Sequence, residues 1–405
     1  MRRRALSTLL AAVPFVGACE FVGAAGVAPI ADEPPPPRMT PPPEAPQHLE
    51  VAQQVRYEEA AYAEDLVAAG SHACARTHDG RLYCWGSNRE GQLGAAADEF
   101  ATRPVRVGRD VQIERVFAGP TQTAVVRRDG EVGHWGRYAP RLDDEVTPWS
   151  RRDTPGVGVL VGATFGEQHA LAWDAAGRLV AWGAPDAASF TTVFIVKPVV
   201  VYLGFRVEQA SVWSRERKGH GCLVAQGGVV ACWGDNEQGQ LGRAAFEQGI
   251  FIYPAVSTAS RVAVGEQFSC ALGVDRGVWC WGANDVGQLG DATKQRRDLP
   301  ERVPLAADVV DLAAGARHAC AVLRDGSTWC WGVNDRGQVG APVEIAAASP
   351  VRVTGLPKAL GVTCGDDFTC IRTEQGEARC WGRNDAGQLG DGTAVGGHAH
   401  RRVLL

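Results

Sequence analysis

One dipeptide recurs at near-constant spacing and limits what this chain can fold into. Trp-Gly occurs at Trp85, Trp135, Trp182, Trp233, Trp281, Trp331 and Trp381, with spacings of 50, 47, 51, 48, 50 and 50 residues. A period of this length marks a supersecondary unit that cannot bury its apolar face alone and must stack on copies of itself. Five copies continue into a longer motif: WGSNREGQLG from 85, WGDNEQGQLG from 233, WGANDVGQLG from 281, WGVNDRGQVG from 331 and WGRNDAGQLG from 381. The second and third copies read WGRYAPRLDD and WGAPDAASFT. Residues 57–405 hold seven such repeats with little left over.

Each repeat reads as β-structure. A short alternating segment precedes the Trp-Gly, as in His318-Ala319-Cys320-Ala321-Val322. A turn follows at Arg324-Asp325-Gly326, then a second segment ending in Cys330-Trp331-Gly332. Asp-Gly between alternating segments is a hairpin signal, because glycine supplies the left-handed conformation. A Pro-Val strand comes further on, as in Pro104-Val105-Arg106-Val107 and Pro350-Val351-Arg352-Val353. Several short strands per repeat, seven times over, predict an all-β, seven-bladed β-propeller. The first repeat lacks an upstream Pro-Val strand, and the chain ends in Arg401-Arg402-Val403-Leu404-Leu405. The expectation is that the C-terminus completes the first blade and latches the ring.

The WG-x-N-x-x-G-Q-L-G motif, the upstream Gly315-Ala316-Arg317-His318 and the seven-fold count resemble the regulator of chromosome condensation repeat family. The resemblance covers residues 57–405. It implies the propeller fold and does not by itself fix an activity, since one scaffold hosts unrelated functions. Two roles are implied: protein binding by a secreted bacterial member, and guanine nucleotide exchange with chromatin binding in eukaryotes.

Cys74/Cys84, Cys222/Cys232, Cys270/Cys280, Cys320/Cys330 and Cys370/Cys380 share a C-x9-C spacing that places each pair opposite itself across a hairpin. Opposed residues of an antiparallel pair lie close enough for a disulfide. The degenerate repeats carry Ala124 with His134 and Leu171 with Ala181, so both cysteines are absent together, as a bond requires. Two ligands at this spacing do not make a zinc site. Five disulfides are expected, with Cys364 a buried free thiol, and they require an oxidising compartment.

The N-terminus reads as an address. Arg2, Arg3 and Arg4 precede an apolar stretch from Ala5 to Val16 and then Gly17-Ala18-Cys19. That layout is a secretory signal, and its end resembles a bacterial lipobox, which makes Cys19 the lipidated residue. The domain reading is a signal peptide at 1–18, a lipid-anchored Pro-rich linker at 19–56 and the propeller at 57–405. Pro34 to Pro37 and Pro41 to Pro43 favour an extended spacer. The expected location is the periplasm or cell surface, with membrane contact through the lipid alone.

A net charge of −5 offers no basic excess for nucleic acid. No G-x-S-x-G, H-E-x-x-H, Walker or dinucleotide motif is found, so no catalytic residue, cofactor or metal is assigned. His72, His169, His220 and His318 all lie thirteen positions before their tryptophan, and that repetition indicates a structural role. The repeat Asn and Gln residues, Asn88 and Gln92 among them, are read as binding loop backbone. Function is expected where the repeat is broken, between about 134 and 218. Trp149, Arg151, Arg152, Trp213 and Arg215 there are the candidate binding residues, of types enriched at hot spots. The reading is a non-enzymatic, monomeric module binding an unknown protein or cell-envelope ligand, with no nucleic-acid partner. The rival readings are an exchange factor and a propeller glycan hydrolase or lyase.

Overall fold

A computed structural model describes residues 62–94, 98–108, 112–137, 147–149, 157–185, 188, 195–216, 218–243, 251–306, 308–343 and 347–405. The expected signal peptide, Cys19, the linker, Arg151 and Arg152 lie outside the described residues. Seven antiparallel sheets follow one another along the chain, over 63–107, 113–149, 160–201, 207–234, 259–302, 309–352 and 359–402. These are blades 1 to 7. Among the described residues six have four strands and blade 4 has three, with an isolated bridge from Cys232 to Ile252 in the fourth place. The fold is the seven-bladed all-β propeller expected from the repeat.

The first strand of each blade touches the first strands of its two neighbours, and blade 7 touches blade 1, so these strands form a closed ring about an axis. Every first strand carries a bulge at the same place, before Asp65, Arg115, Gly162, Gln209, Arg261, Asp311 or Gly361. A bulge increases local twist and re-aims side chains. Here it sets Asp65, Arg115, Arg261, Asp311 and Gly361 around one shared axial recess, and several of the residues after the bulges reach the next blade. Gln209 Oε1 accepts from Val262 N at 2.8 Å, and Asp311 Oδ2 accepts from Val362 N at 2.9 Å. Arg261 pairs with Asp311 at 2.9 Å.

The glycine of Trp-Gly has one job in all seven copies. Its φ runs from 98° at Gly86 to 109° at Gly382, a region that L side chains rarely adopt. A Cβ at Gly86 would also lie 2.5 Å from the Ser71 carbonyl oxygen. In five blades this glycine marks a bulge against the fourth strand.

The tryptophan joins blades. Trp85, Trp281, Trp331 and Trp381 are fully buried. Trp135 Nε1 donates to Gln92 O at 2.8 Å, Trp281 to Gln240 O at 2.8 Å, Trp331 to Gln288 O at 3.0 Å and Trp381 to Gln338 O at 2.9 Å. Each acceptor belongs to the preceding repeat. The Gln loop is shaped by its own side chains: Asn88 Oδ1 accepts from Leu93 N at 2.8 Å, and Gln92 Oε1 from Glu90 N at 2.9 Å. The same two bonds recur from Asn284 and Gln288. These residues bind loop backbone, as the sequence predicts.

The repeated histidines complete the joint. Thr123 Oγ1 donates to Gln92 O at 2.8 Å, so its oxygen is left to accept from His72 Nε2–H at 2.9 Å. His220 bonds Ser269, and His318 bonds Thr369, in the same way. Where phenylalanine replaces the histidine, at Phe268 and Phe368, the next blade offers Ala319 and Ala73 in place of the hydroxyl. At these five joints donor and acceptor change together, which avoids stranding a buried polar group.

The ring closes differently from the expected latch. Gly397–Arg402 pairs with Ala378–Gly382 and completes blade 7, while blade 1 has its own fourth strand, Phe100–Val107. The reason lies in the loop after Trp-Gly, which carries the chain back against the strand it has just left. The blade therefore begins before the Trp-Gly and ends after the Pro-Val strand, and none is shared between the chain ends. The joint between blades 7 and 1 repeats the tryptophan bond, with Trp85 Nε1 donating to Gln388 O at 2.9 Å, and adds one from Ala68 N to Thr363 Oγ1 at 2.9 Å. Val403 and Leu405 pack into the apolar cluster at this joint, with Trp85, Phe368 and Leu389. Deleting residues 398–405 removes an edge strand and part of that cluster. The expected loss is about 3–5 kcal/mol, read by calorimetry as a melting point lower by roughly 5 °C; an unchanged melting point would contradict it.

Candidate functional site

In most blades the first strand turns into the second within four residues. Gly265 N donates to Phe268 O at 2.9 Å, and Gly315, Gly365, Gly119 and Gly166 make the same turn. These turns crowd one end of the axis and bond one another in series: Glu266 N to Ala316 O, Ala316 N to Asp366 O and Asp366 N to Gly70 O.

Blade 4 breaks this rim. Eleven positions separate Gln209 from His220, against seven between Arg261 and Phe268. Trp213 stands where the turn glycine would be, and the strands extend to Val207–Arg215 and Lys218–Ala225. The added residues form a hairpin that leaves its own blade. Ser214 Oγ accepts from Glu167 N at 2.9 Å, and Glu216 N donates to Glu167 Oε2 at 2.9 Å, both on blade 3. Arg215 pairs with Asp366 of blade 7 at 2.7 Å. A contact from blade 4 to blade 7 spans the end of the ring, so the hairpin lies across the axis.

The tip sits in acidic surroundings. Burial raises the Asp366 carboxyl above the ordinary carboxylate range, Asp367 and Glu266 add to the rise, and Arg215 opposes it. The Arg215 guanidinium also lies 5.8 Å from the centre of the Trp213 ring, a cation–π contact. Lys218 reaches Glu237 at 3.2 Å. Beside the hairpin lies a recess of about 210 Å³ lined by Trp213, Arg215, Lys218, Glu237 and Gln267. A second recess of about 430 Å³, lined by Gln267, Asn284, Asp285, Lys294 and Arg317, continues it over blades 5 and 6. The two share Glu266 and Gln267. This surface offers amide, carboxylate and cationic groups to a polar partner.

Of the predicted binding residues, Trp213 and Arg215 come together here. Trp149 ends a strand paired with Val132 in blade 2 and is not brought beside them. Sequence reasoning missed Asp366, Glu167, Glu266 and Gln267, which come from other blades. The readable signal was the extra length between Gln209 and His220.

Among the described residues, His318, Cys320 and Cys364 group three potential metal donors within 4.8 Å of one another. They do not fit a metal. Cys320 is bonded to Cys330. Thr369 Oγ1 sits in the cluster, 2.9 Å from His318 Nε2 and 3.6 Å from Cys320 Sγ. All five C-x9-C pairs are disulfides, with Cα separations of 4.0–4.1 Å, and Cys364 is free and buried.

Two family models, both described as regulator of chromosome condensation (RCC1) repeat, match this chain. One matches residues 79–126, 276–322 and 325–371, and the other 65–92, 259–288, 309–338 and 361–388. The human probable E3 ubiquitin-protein ligase HERC6 is 35% identical over 195 residues, 44% of this chain and 19% of that protein. The bovine secretion-regulating guanine nucleotide exchange factor is 33% identical over 192 residues, 44% of this chain and 41% of that protein. The chain spans less than half the length of the curated relatives it matches. Among solved structures, Prp20p of Saccharomyces cerevisiae superposes with a TM-score of 0.70 at 20% identity, covering 85% of this chain and 87% of that one. Human WBSCR16 gives 0.66 at 19% identity, covering 77% and 86%. These two likenesses support the fold. The family-model matches show regulator of chromosome condensation (RCC1) repeats in this chain, within residues 65–126 and 259–388.

Proposed function

We propose that this chain is a non-enzymatic protein-binding propeller, exported and held on the bacterial cell envelope through Cys19. Its binding surface is the face over blades 4 to 6. The observation that carries this reading is the blade 4 hairpin, which departs from the repeat to cross the axis and border a polar recess. Departure from a repeat is where a specific partner can be read, because the repeated positions are already used in joining blades. Five disulfides are consistent with an oxidising compartment, and the Prp20p structure is described with its binding to Gsp1p and histones.

Crosslinking pull-down from envelope fractions tests the surface. Trp213→Ala/Arg215→Ala is expected to lose a specific partner by tenfold or more, since buried Trp and Arg at an interface are each worth roughly 2 kcal/mol or more. Equal recovery of every partner would reject this face. The likeness to the bovine exchange factor favours one alternative. Accelerated nucleotide release from a small GTPase would support it, and free thiols at the ten paired cysteines would argue against export.

A further inference from the structure

The propeller geometry repeats one contact that matters in one blade only. In four blades the residue three places past the axial position shares an apolar cluster with the first half-cystine of the preceding blade. Ala68 lies in the cluster of Cys370, Val264 in that of Cys222, and Ala314 in that of Cys270. At the joint between blades 6 and 7 the residue is Cys364, and its neighbour is Cys320. Their sulfurs lie within 4.8 Å of each other. The Thr369 hydroxyl stands 3.6 Å from Cys320 Sγ and 3.9 Å from Cys364 Sγ, off to one side of the pair. A free thiol thus faces a disulfide sulfur across a blade joint, and among the described residues this is the one free cysteine.

We propose that Cys364 is an exchange partner for the blade 6 disulfide, able to convert the Cys320–Cys330 clip into a Cys320–Cys364 bond that ties blade 6 to blade 7. Cys364 gives up its proton and its thiolate attacks Cys320 Sγ. The Cys320–Cys330 bond breaks, and Cys330 leaves as a thiolate that takes up a proton. One disulfide is exchanged for another, no electrons are gained or lost, and no outside oxidant or reductant enters. Burial pushes the Cys364 thiol up to about 12, which holds the exchange in check at neutral pH, since the thiolate is the nucleophile. The inference rests on the disulfides and the joint, and is independent of the binding surface proposed above.

The test uses the full chain without added thiol or oxidant. Samples held at about pH 7 and about pH 10 are quenched in acid, denatured, alkylated with N-ethylmaleimide, and mapped as unreduced peptides. Below its pKa the thiolate fraction rises tenfold per pH unit, so exchange is expected to run about a thousandfold faster at pH 10. The signature is a Cys320–Cys364 peptide with alkyl on Cys330. The other four disulfides are internal controls and stay intact, and Cys364→Ser abolishes the signal. A second variant, Cys330→Ser, leaves Cys320 and Cys364 as neighbouring thiols; in a separate arm with oxidised glutathione supplied as the two-electron oxidant and released as reduced glutathione, it is expected to form the inter-blade bond. An intact Cys320–Cys330 with alkyl on Cys364 alone at pH 10 would overturn the proposal. So would scrambling of all five pairs alike.

Discussion

Reduction of the five disulfides is expected to unfold this propeller at temperatures where the oxidised protein is fully folded. Each bond closes a loop between residues ten apart. In the chain-entropy model a loop of that size contributes about 2–3 kcal/mol. Five together reach the size of a typical domain's whole net stability, about 5–15 kcal/mol. The melting point should fall on the order of 20 °C between oxidised and reduced protein. All ten sulfur-bearing residues are 0% exposed, so a reductant has no entry to the folded chain. Reduction should therefore be slow in buffer and fast in mild denaturant, following the opening of the blades. A melting point unmoved after complete reduction would show that the clips do not stabilise the ring. Replacing one pair, such as Cys270→Ala/Cys280→Ala, should cost about a fifth of the total.

Acid is expected to destabilise the folded chain well before its carboxylates titrate. Burial lowers His72, His134 and His318 from 6.5 to about 4, and His220 to about 3. Each ring is neutral when folded, and its Nε2 is engaged with Thr123, Gln122, Thr369 or Ser269. The unfolded chain binds protons at these rings below pH 6.5, whereas the folded chain does not until pH 4 or lower. Stability is thus fully present above 6.5 and drains away as the pH falls, by about 1.4 kcal/mol per unit for each histidine. Asp65 and Asp366 work the other way, since burial raises their carboxyls and the folded chain binds those protons first. Four rings outweigh two carboxyls. Denaturant midpoints should drop steeply between pH 7 and pH 4.5, and His72→Gln/His220→Gln should flatten that drop. A midpoint constant over the range would contradict neutral buried rings.

The legible parts of the structure were those whose cause is local. The C-x9-C spacing gives its own geometry. Thr77 N donates to Arg81 O across the turn, and three residues back Cys74 meets Cys84 in a non-hydrogen-bonded pair, where side chains are closest. Ala124 opposite His134 and Leu171 opposite Ala181 hold the same places without sulfur. The period of the repeat was equally legible, but its phase was not. A repeat of about 50 residues looks the same wherever the unit is taken to start, so the C-terminal strand could be assigned to blade 1 as readily as to blade 7. The pairing of Cys380 with Arg401 decides it, and no composition or spacing encodes that choice. The candidate site was half legible. Trp213 and Arg215 stood out as a break in the pattern, whereas Asp366 lies 151 residues further on inside a normal repeat. Only ring closure brings the two together. The histidine joints were legible as positions but not as partners, because His72 and Thr123 are 51 residues apart. The alternation of His with Ser or Thr, and of Phe with Ala, becomes visible once neighbouring blades are laid side by side.

Disulfide mapping bears most directly on the clipped seven-blade ring. Protein recovered from an oxidising compartment, denatured at mildly acidic pH and alkylated without reduction, should yield five linked pairs on digestion: Cys74–Cys84, Cys222–Cys232, Cys270–Cys280, Cys320–Cys330 and Cys370–Cys380. Cys364 should carry alkyl. Alkyl groups on those ten cysteines, or links joining one C-x9-C pair to another, would contradict the ring and the compartment together.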